Sequence, residues 1–353
     1  MSNTGHISTL AAPTRRRLLR GALGLAAACT TIGTPRRGEA QPALQTLSPT
    51  ATLGERWPGS MSSVNSLSLA PDGKTMLTNL RSNSEATLWD LSKQEPINDL
   101  KSEDFIVTAH FVANGKRSII VSQNNKAQLW DLADARVIST KVLDGDKIEA
   151  ASVAPDERHV AISQEEQLSV WDLHNGTRVA TRNEPDLGLL GRLAFAPNGK
   201  WLACVYRDEV RAYDAASLQL LAKWQVESAN GGLACSHDSR RILFGDGEQV
   251  RIFDIATKRE AGRIRQLGPE RSFFLGMAAL RDDLFASGDS YGHFLIGSSR
   301  AQPRFIAKSA DPPIKATRVA ISRDQKFAYV GTEEGQVMVF DLSKVKVDQT
   351  NAP

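Results

Sequence analysis

Beyond about residue 50, apolar and polar positions alternate in short runs that repeat along the chain. A small-and-apolar stretch such as 64–70 leads into a turn, Pro71-Asp72-Gly73-Lys74. A short apolar run follows, as at 201–206, and then a polar turn such as Gln164-Glu165-Glu166. Period-two alternation resumes at positions like 167–172, and another extended stretch such as 95–101 leads to the next unit. Alternation of this kind, bounded by Asp, Asn, Gly and Pro, predicts half-buried strands rather than helices. Pro-Asp-Gly and Pro-Asn-Gly are turn chemistry: proline presets φ, the Asx side chain caps the turn, and glycine accepts positive φ. No stretch outside the first forty residues keeps a helical period. The chain is therefore expected to be all-β.

Two columns of residues set the length of the unit. One is an aromatic followed by aspartate: Trp89-Asp90, Trp130-Asp131, Trp171-Asp172, Tyr213-Asp214, Phe253-Asp254 and Phe340-Asp341, spaced 41, 41, 42, 40 and 87. The last gap is two periods, which places a copy without its signature near Leu295-Ile296. The other column is a turn Asp or Asn, at Asp72, Asn114, Asp156, Asn198, Asp238, Asp282 and Asp324, spaced 42, 42, 42, 40, 44 and 42. Internal repeats of about 40–45 residues with several strands each build radial arrays of small sheets.

The period and the Trp-Asp column resemble a divergent, bacterial WD-repeat β-propeller, from about Thr50 to Lys344. The resemblance implies a seven-bladed propeller of four-stranded antiparallel blades, since residues 50–343 make seven units of 42. The Gly-His dipeptide that opens repeats in that family is absent from every copy, so its His–Ser/Thr–Trp–Asp network should not form in the usual way. The sixth unit, around 288–297, is the most degenerate. Residues 51–56 are expected to close the ring as the outer strand of the last blade; Lys344-Val345-Lys346-Val347 is the rival for that place.

The first forty residues read differently. Thr14-Arg15-Arg16-Arg17-Leu18-Leu19-Arg20 precedes a short apolar run at 21–32. That run is well below the ~20 residues that span a bilayer, and a basic block before it is the layout of an export signal. The block resembles a twin-arginine (Tat) signal, with Leu18 where phenylalanine is commoner, and Gly38, Glu39 and Ala40 offer a small-x-small cleavage site. The expected organisation is a signal at 1–40, a linker at 41–49, the propeller at 50–343 and a tail at 344–353, giving a periplasmic or secreted protein with no transmembrane segment after cleavage. Lipid anchoring at Cys29 is the alternative, although Ala26 stands where an aliphatic residue belongs and Leu25 is one place too early.

Composition adds exclusions. With 353 residues, 41% hydrophobic and three cysteines, the chain is neither disordered nor a disulfide-stapled mini-domain. Lys and Arg number 43 against 40 Asp and Glu. Six arginines and one glutamate lie within 1–40, so the remainder carries 37 bases and 39 acids. The basic surplus belongs to the address, and a nucleic-acid partner, which requires a basic surface, is not expected.

Candidate chemistry is sparse. The Trp-Asp pairs and the Asx column read as packing and turn residues. After residue 40 the histidines are His110, His159, His174, His237 and His293, and none forms a metal-ligand pair by spacing. His110 is the odd one: it stands where other units have Ser68, Ser152, Ala194, Ala234 and Ala320, to fill a local void or to face the central channel. Cys204 and Cys235 are read either as two buried thiols or as a disulfide between adjacent blades. No nucleophile elbow, phosphate loop, zinc-protease or haem motif is present, so no catalytic, cofactor or metal residues are assigned and no cofactor is expected. The resemblance implies a binding face formed by the connections from the fourth strand of one blade to the first of the next. Those connections offer Arg56, Trp57, Phe105, Arg271 and Phe273, alongside Asp104, Asp146, Lys147, Leu187, Leu189 and Asp311. Exposed aromatics beside arginine are common binding anchors. Tyr291 and His293 join the candidate face, because the repeat breaks there. The expected function is that of an exported, non-enzymatic binding or scaffold protein with a protein partner, as a monomer or a subunit of a hetero-complex. The alternative is a propeller enzyme, a lactonase-like hydrolase or an oxidoreductase subunit, with polar groups converging on the channel.

Overall fold

The computed structural model describes residues 48–55, 62–184, 192–228, 231–265, 274–279, 284–291, 293–298, 301–308 and 315–344. These residues form seven four-stranded sheets, antiparallel throughout, and among them the helical elements are short 3-10 turns at Ala113–Gly115 and Leu342–Lys344. Six sheets each use four consecutive strands, within residues 64–101, 106–142, 148–183, 192–225, 233–265 and 274–308. The remaining sheet is composite: Ala316–Ile321, Phe327–Thr332 and Val337–Asp341 are joined by Ala51–Leu53 from the start of the described chain. The sheets are blades of a β-propeller, numbered 1 to 7 below in the order of their first strands.

The two repeat columns close the turns. Asp72 Oδ1 accepts the Lys74 N–H at 2.9 Å, and Asp156, Asn198, Asp238 and Asp324 accept the N–H two residues on in the same way. Asp90 Oδ1 accepts from the N–H groups of Ser92 and Lys93 at 2.9 and 3.0 Å, and Asp131, Asp214, Asp254 and Asp341 cap the equivalent turn between third and fourth strands. These carboxylates are spent on backbone groups that would otherwise be left without partners.

The aromatic column does the packing between blades. Each hydrophobic cluster of the core spans two adjacent sheets. Leu77, Leu88, Ile106, Phe111, Ile120 and Trp130 join blades 1 and 2. Trp171, Tyr213, Phe253 and Phe340 occupy the same place in the seams before blades 3, 4, 5 and 7, and Trp89 packs into the seam between blades 7 and 1. Burying one such ring contributes about 3 kcal/mol. Trp224 on the outer strand of blade 4 stacks on Phe253 of blade 5, ring centroids 4.9 Å apart, so the seam is filled out to the rim. The tryptophan N–H groups find different partners from blade to blade: Thr78 Oγ1 at 2.8 Å for Trp89, Ser169 Oγ at 2.9 Å for Trp171, and none for the buried Trp130 Nε1. No common polar network replaces the missing Gly-His.

Blade 6 corrects one expectation. The strand register pairs Phe285 with Gly297 and Leu284 with Ser298, as Met76 pairs with Trp89 and Thr75 with Asp90 in blade 1. The signature position is therefore Gly297-Ser298, not Leu295-Ile296. The aromatic has moved one strand inward: Phe285, fully buried, fills the seam between blades 5 and 6 that the missing third-strand ring would have filled.

The ring closes through residues 51–53. Ala51, Thr52 and Leu53 pair with Val339, Met338 and Val337, and the Thr50 N–H donates to the Val339 carbonyl at 2.7 Å. Leu53 is buried beside Val64, Met76 and Tyr329 in the last seam. The strand ends at Leu53, because Gly54 turns away at φ +86. The seam is tight enough that a Cβ on Gly331 would lie 2.7 Å from Val64 Cγ1, so glycine is required there. Lys344 ends a 3-10 turn, and the rest of the rival segment lies outside the described residues. Removing residues 48–55 leaves Val337–Val339 with an unpaired edge and uncovers the side chains that Leu53 covers, Met76 and Tyr329 among them. A loss of about 3 kcal/mol and a fall in Tm of about 5–10 °C are expected by calorimetry, whereas an unchanged Tm would refute closure by this strand.

Candidate functional site

The first strands of all seven blades line one axial cavity of about 280 Å³. In each blade the position six before the turn Asx lies at the same height, as the strand register shows: Ser66 opposite Asn79, Thr108 opposite Val121, Arg192 opposite Val205, Gly276 opposite Gly288 and Arg318 opposite Gly331. Around the ring this layer reads Ser66, Thr108, Ala150, Arg192, Gly232, Gly276 and Arg318. Two arginines thus stand among small residues. They come from blades 4 and 7, separated on the shorter arc only by the glycines of blades 5 and 6.

The electrostatics of this layer are one-sided. Arg192 makes no hydrogen bond or ion pair among the described residues, and desolvation pulls its pKa down to about 10. Among the described residues the Arg318 guanidinium donates only to neutral oxygens, the Thr317 carbonyl at 2.8 Å and Asn65 Oδ1 at 3.3 Å. Desolvation holds its pKa well below that of an ordinary guanidinium, and the charges of Arg192 and Arg81 push it further in the same direction. By contrast the buried Arg211, between blades 3 and 4, is fully engaged. It reaches Glu209 Oε2 at 2.6 Å and Glu184 Oε2 at 3.0 Å, with the Tyr213 hydroxyl also donating to Glu184 at 2.9 Å. That network is structural, because each charge in it meets its complement.

Other titratable groups sit at different heights in the cavity. Glu149 lines it on blade 3, and its Oε2 is buried without a partner. Desolvation and then the nearby Glu165 raise its pKa, opposed by Lys147. His110 also lines the cavity, open to solvent, so it faces the channel rather than filling a buried void. The enclosing strands lower its pKa through desolvation, with Glu157 acting in the opposite sense. Its Nδ1 lies 3.4 Å from Ser68 Oγ.

The sequence-derived loop candidates are only partly placed. Arg56, Trp57, Arg271 and Phe273 lie outside the described residues, as do Leu187, Leu189 and Asp311. Phe105 is 43% exposed at the entry to the first strand of blade 2. Its N–H donates to Asp104 Oδ1 at 2.7 Å and its carbonyl accepts from the Gln123 N–H at 2.9 Å, which fixes the backbone that carries the exposed ring. Tyr291 sits in the turn between second and third strands of blade 6, its N–H donating to Asp289 Oδ1 at 2.8 Å. Antiparallel order puts that turn on the same face as Phe105. His293 begins the following strand of blade 6. Cys204 and Cys235 are free thiols, buried in different seams, so the disulfide alternative is excluded; burial raises both pKa values. A larger cleft of about 720 Å³ opens at the closing seam, lined by Asp72, Ser92, Asp324 and Phe327. Its acids cap local turns.

The two arginines were within reach of the sequence. Aligning the repeats on the Asx column shows them as the only charged members of an otherwise small-residue column, two places before that of His110. No protein-family model matches the chain, and no curated protein is similar to it.

Glu149 generates a prediction with a definite sign. A carboxyl whose folded pKa is raised destabilises the fold above that pKa, and the penalty disappears below the unfolded value of about 4.3. Glu149→Gln is therefore expected to raise Tm at pH 7, the advantage shrinking to nothing as the pH falls toward 4. A lower Tm at pH 7 would show that the carboxylate has a stabilising partner.

Proposed function

We propose that the chain is an exported, non-enzymatic binding or scaffold protein: a seven-bladed, WD-like propeller whose loop face engages a protein partner. The observation that carries this reading is Phe105, an exposed aromatic on a backbone fixed by hydrogen bonds to both its N–H and its carbonyl. An anchor that is already ordered loses little conformational entropy on binding. The sheet that supports it is a rigid blade, and loops on rigid scaffolds are where binding residues concentrate. Tyr291 shares that face, and Trp57, Arg56, Arg271, Phe273 and His293 complete the proposed set. The axial cavity favours a second reading, in which a ligand is bound or converted inside the channel, because Asn65, His110 and Glu149 all line it.

Two experiments test the proposal. Proteins recovered from a periplasmic extract on the wild-type chain should be lost, by roughly tenfold or more, on Phe105→Ala and Trp57→Ala; equal recovery on all three overturns the face. Replacing Arg15 and Arg16 together by lysine should leave the uncleaved chain in the cytoplasm on fractionation, and normal processing would remove the twin-arginine route.

A further inference from the structure

We propose that Arg192 and Arg318 form a binding site for a small oxyanion, a phosphate or carboxylate group, within the axial channel and open to the loop face.

The argument starts from cost. Taking a guanidinium out of water is unfavourable unless a partner compensates it, and buried charges in folded proteins are normally paired. The Arg192 side chain has no hydrogen-bond or ion-pair partner among the described residues, and the Arg318 guanidinium has two neutral oxygens. Neither arginine is acted on by an acid; the charges that act on Arg318 are those of Arg192 and Arg81. The carboxylate that shares the cavity, Glu149, responds to Glu165 and Lys147 instead. Two cations that repel each other across a shared cavity destabilise the fold, and that expense is explained by a ligand that supplies the missing negative charge.

Geometry supplies the specificity. The guanidinium presents a planar fork of donors that matches two oxygens of a carboxylate or phosphate. Arg192 opens the first strand of blade 4 and Arg318 is third in the first strand of blade 7, so both lie toward the end of the channel where the connecting loops enter. Between them on the shorter arc, Gly232 and Gly276 carry no side chain, and a Cβ on either would meet neighbouring backbone at 3.0 Å. The layer thus holds no side chain between the two arginines on that arc, and both line the same cavity. On the other side the layer holds Thr108, Ala150 and Ser66, the last with its hydroxyl engaged by Asn79 Oδ1 and the Ala109 N–H. The cavity, about 280 Å³, admits a small anion and not a polymer. The slight acidity of the chain after residue 40 is compatible with this, because the site depends on two local charges rather than on a basic surface.

The test uses thermal unfolding and calorimetric titration of the full chain with inorganic phosphate and, separately, with succinate, each against potassium chloride at matched ionic strength. At an anion concentration roughly a hundred times Kd, Tm is expected to rise by about 5 °C. The two anions distinguish a phosphate ligand from a carboxylate one. Arg192→Gln and Arg318→Gln should each weaken the effective anion by about tenfold or more. Arg192→Gln should also melt no lower than the wild type in chloride alone, since it removes an unpaired, half-buried cation. The proposal is overturned if neither anion exceeds matched chloride, if both variants respond as the wild type does, or if Arg192→Gln is clearly less stable in chloride. Phe105→Ala, whose side chain lies outside the channel, should keep the anion response, so failure of the loop face and failure of the channel site are read separately.

Discussion

The interaction on which the rest of the structure depends is the apolar seam between adjacent sheets. A four-stranded sheet of this size exposes two faces and cannot bury either alone. Here every hydrophobic cluster belongs to two blades at once, and in every blade but the sixth the aromatic at the end of the third strand is the residue that reaches into the preceding blade. Because each seam needs a neighbour on both sides, the arrangement is satisfied only by a closed ring. The composite blade that borrows Ala51–Leu53 is the consequence of that requirement. Blade 6 shows that the requirement is for an aromatic in the seam rather than for a sequence signature: Phe285 meets it from the neighbouring strand while Gly297 takes the signature position.

The same constraint creates the channel. Drawing seven sheets together by their first strands leaves an axial space lined by one short segment from each. Most positions there are small, since the strands converge and side chains compete for room. Large charged side chains in that column are therefore conspicuous: they occupy scarce volume and give up hydration without gaining a counter-charge. The contrast with Arg211, ringed by Glu184 and Glu209, separates a charge that supports the fold from charges that do not.

Net charge and local charge point in different directions. Counting acids and bases over the chain after residue 40 leaves a small acidic excess, which argues against a polyanionic partner. It carries no information about two arginines lining one cavity at one height, because that placement is set by blade order. Loop-face binding and channel binding are likewise independent properties of one scaffold, one set by which side chains the connections hold outward and the other by which side chains the first strands turn inward.

The sequence by itself determined the local structure. Strand alternation, the Asx turns and the repeat length were all legible, because each depends on residues close together in the chain, and the turn carboxylates do cap the N–H groups that their spacing implied. The structural role of the aromatic column was legible for the same reason. The tertiary structure decided what depends on residues from distant repeats. It placed the blade 6 aromatic on the second strand, kept Cys204 and Cys235 apart in separate seams, and turned His110 to the channel. It also brought Arg192 and Arg318, 126 positions apart in the chain, to one height of one cavity. A repeat period specifies the height of a residue within its blade, but only closure of the ring decides which residues at that height face each other.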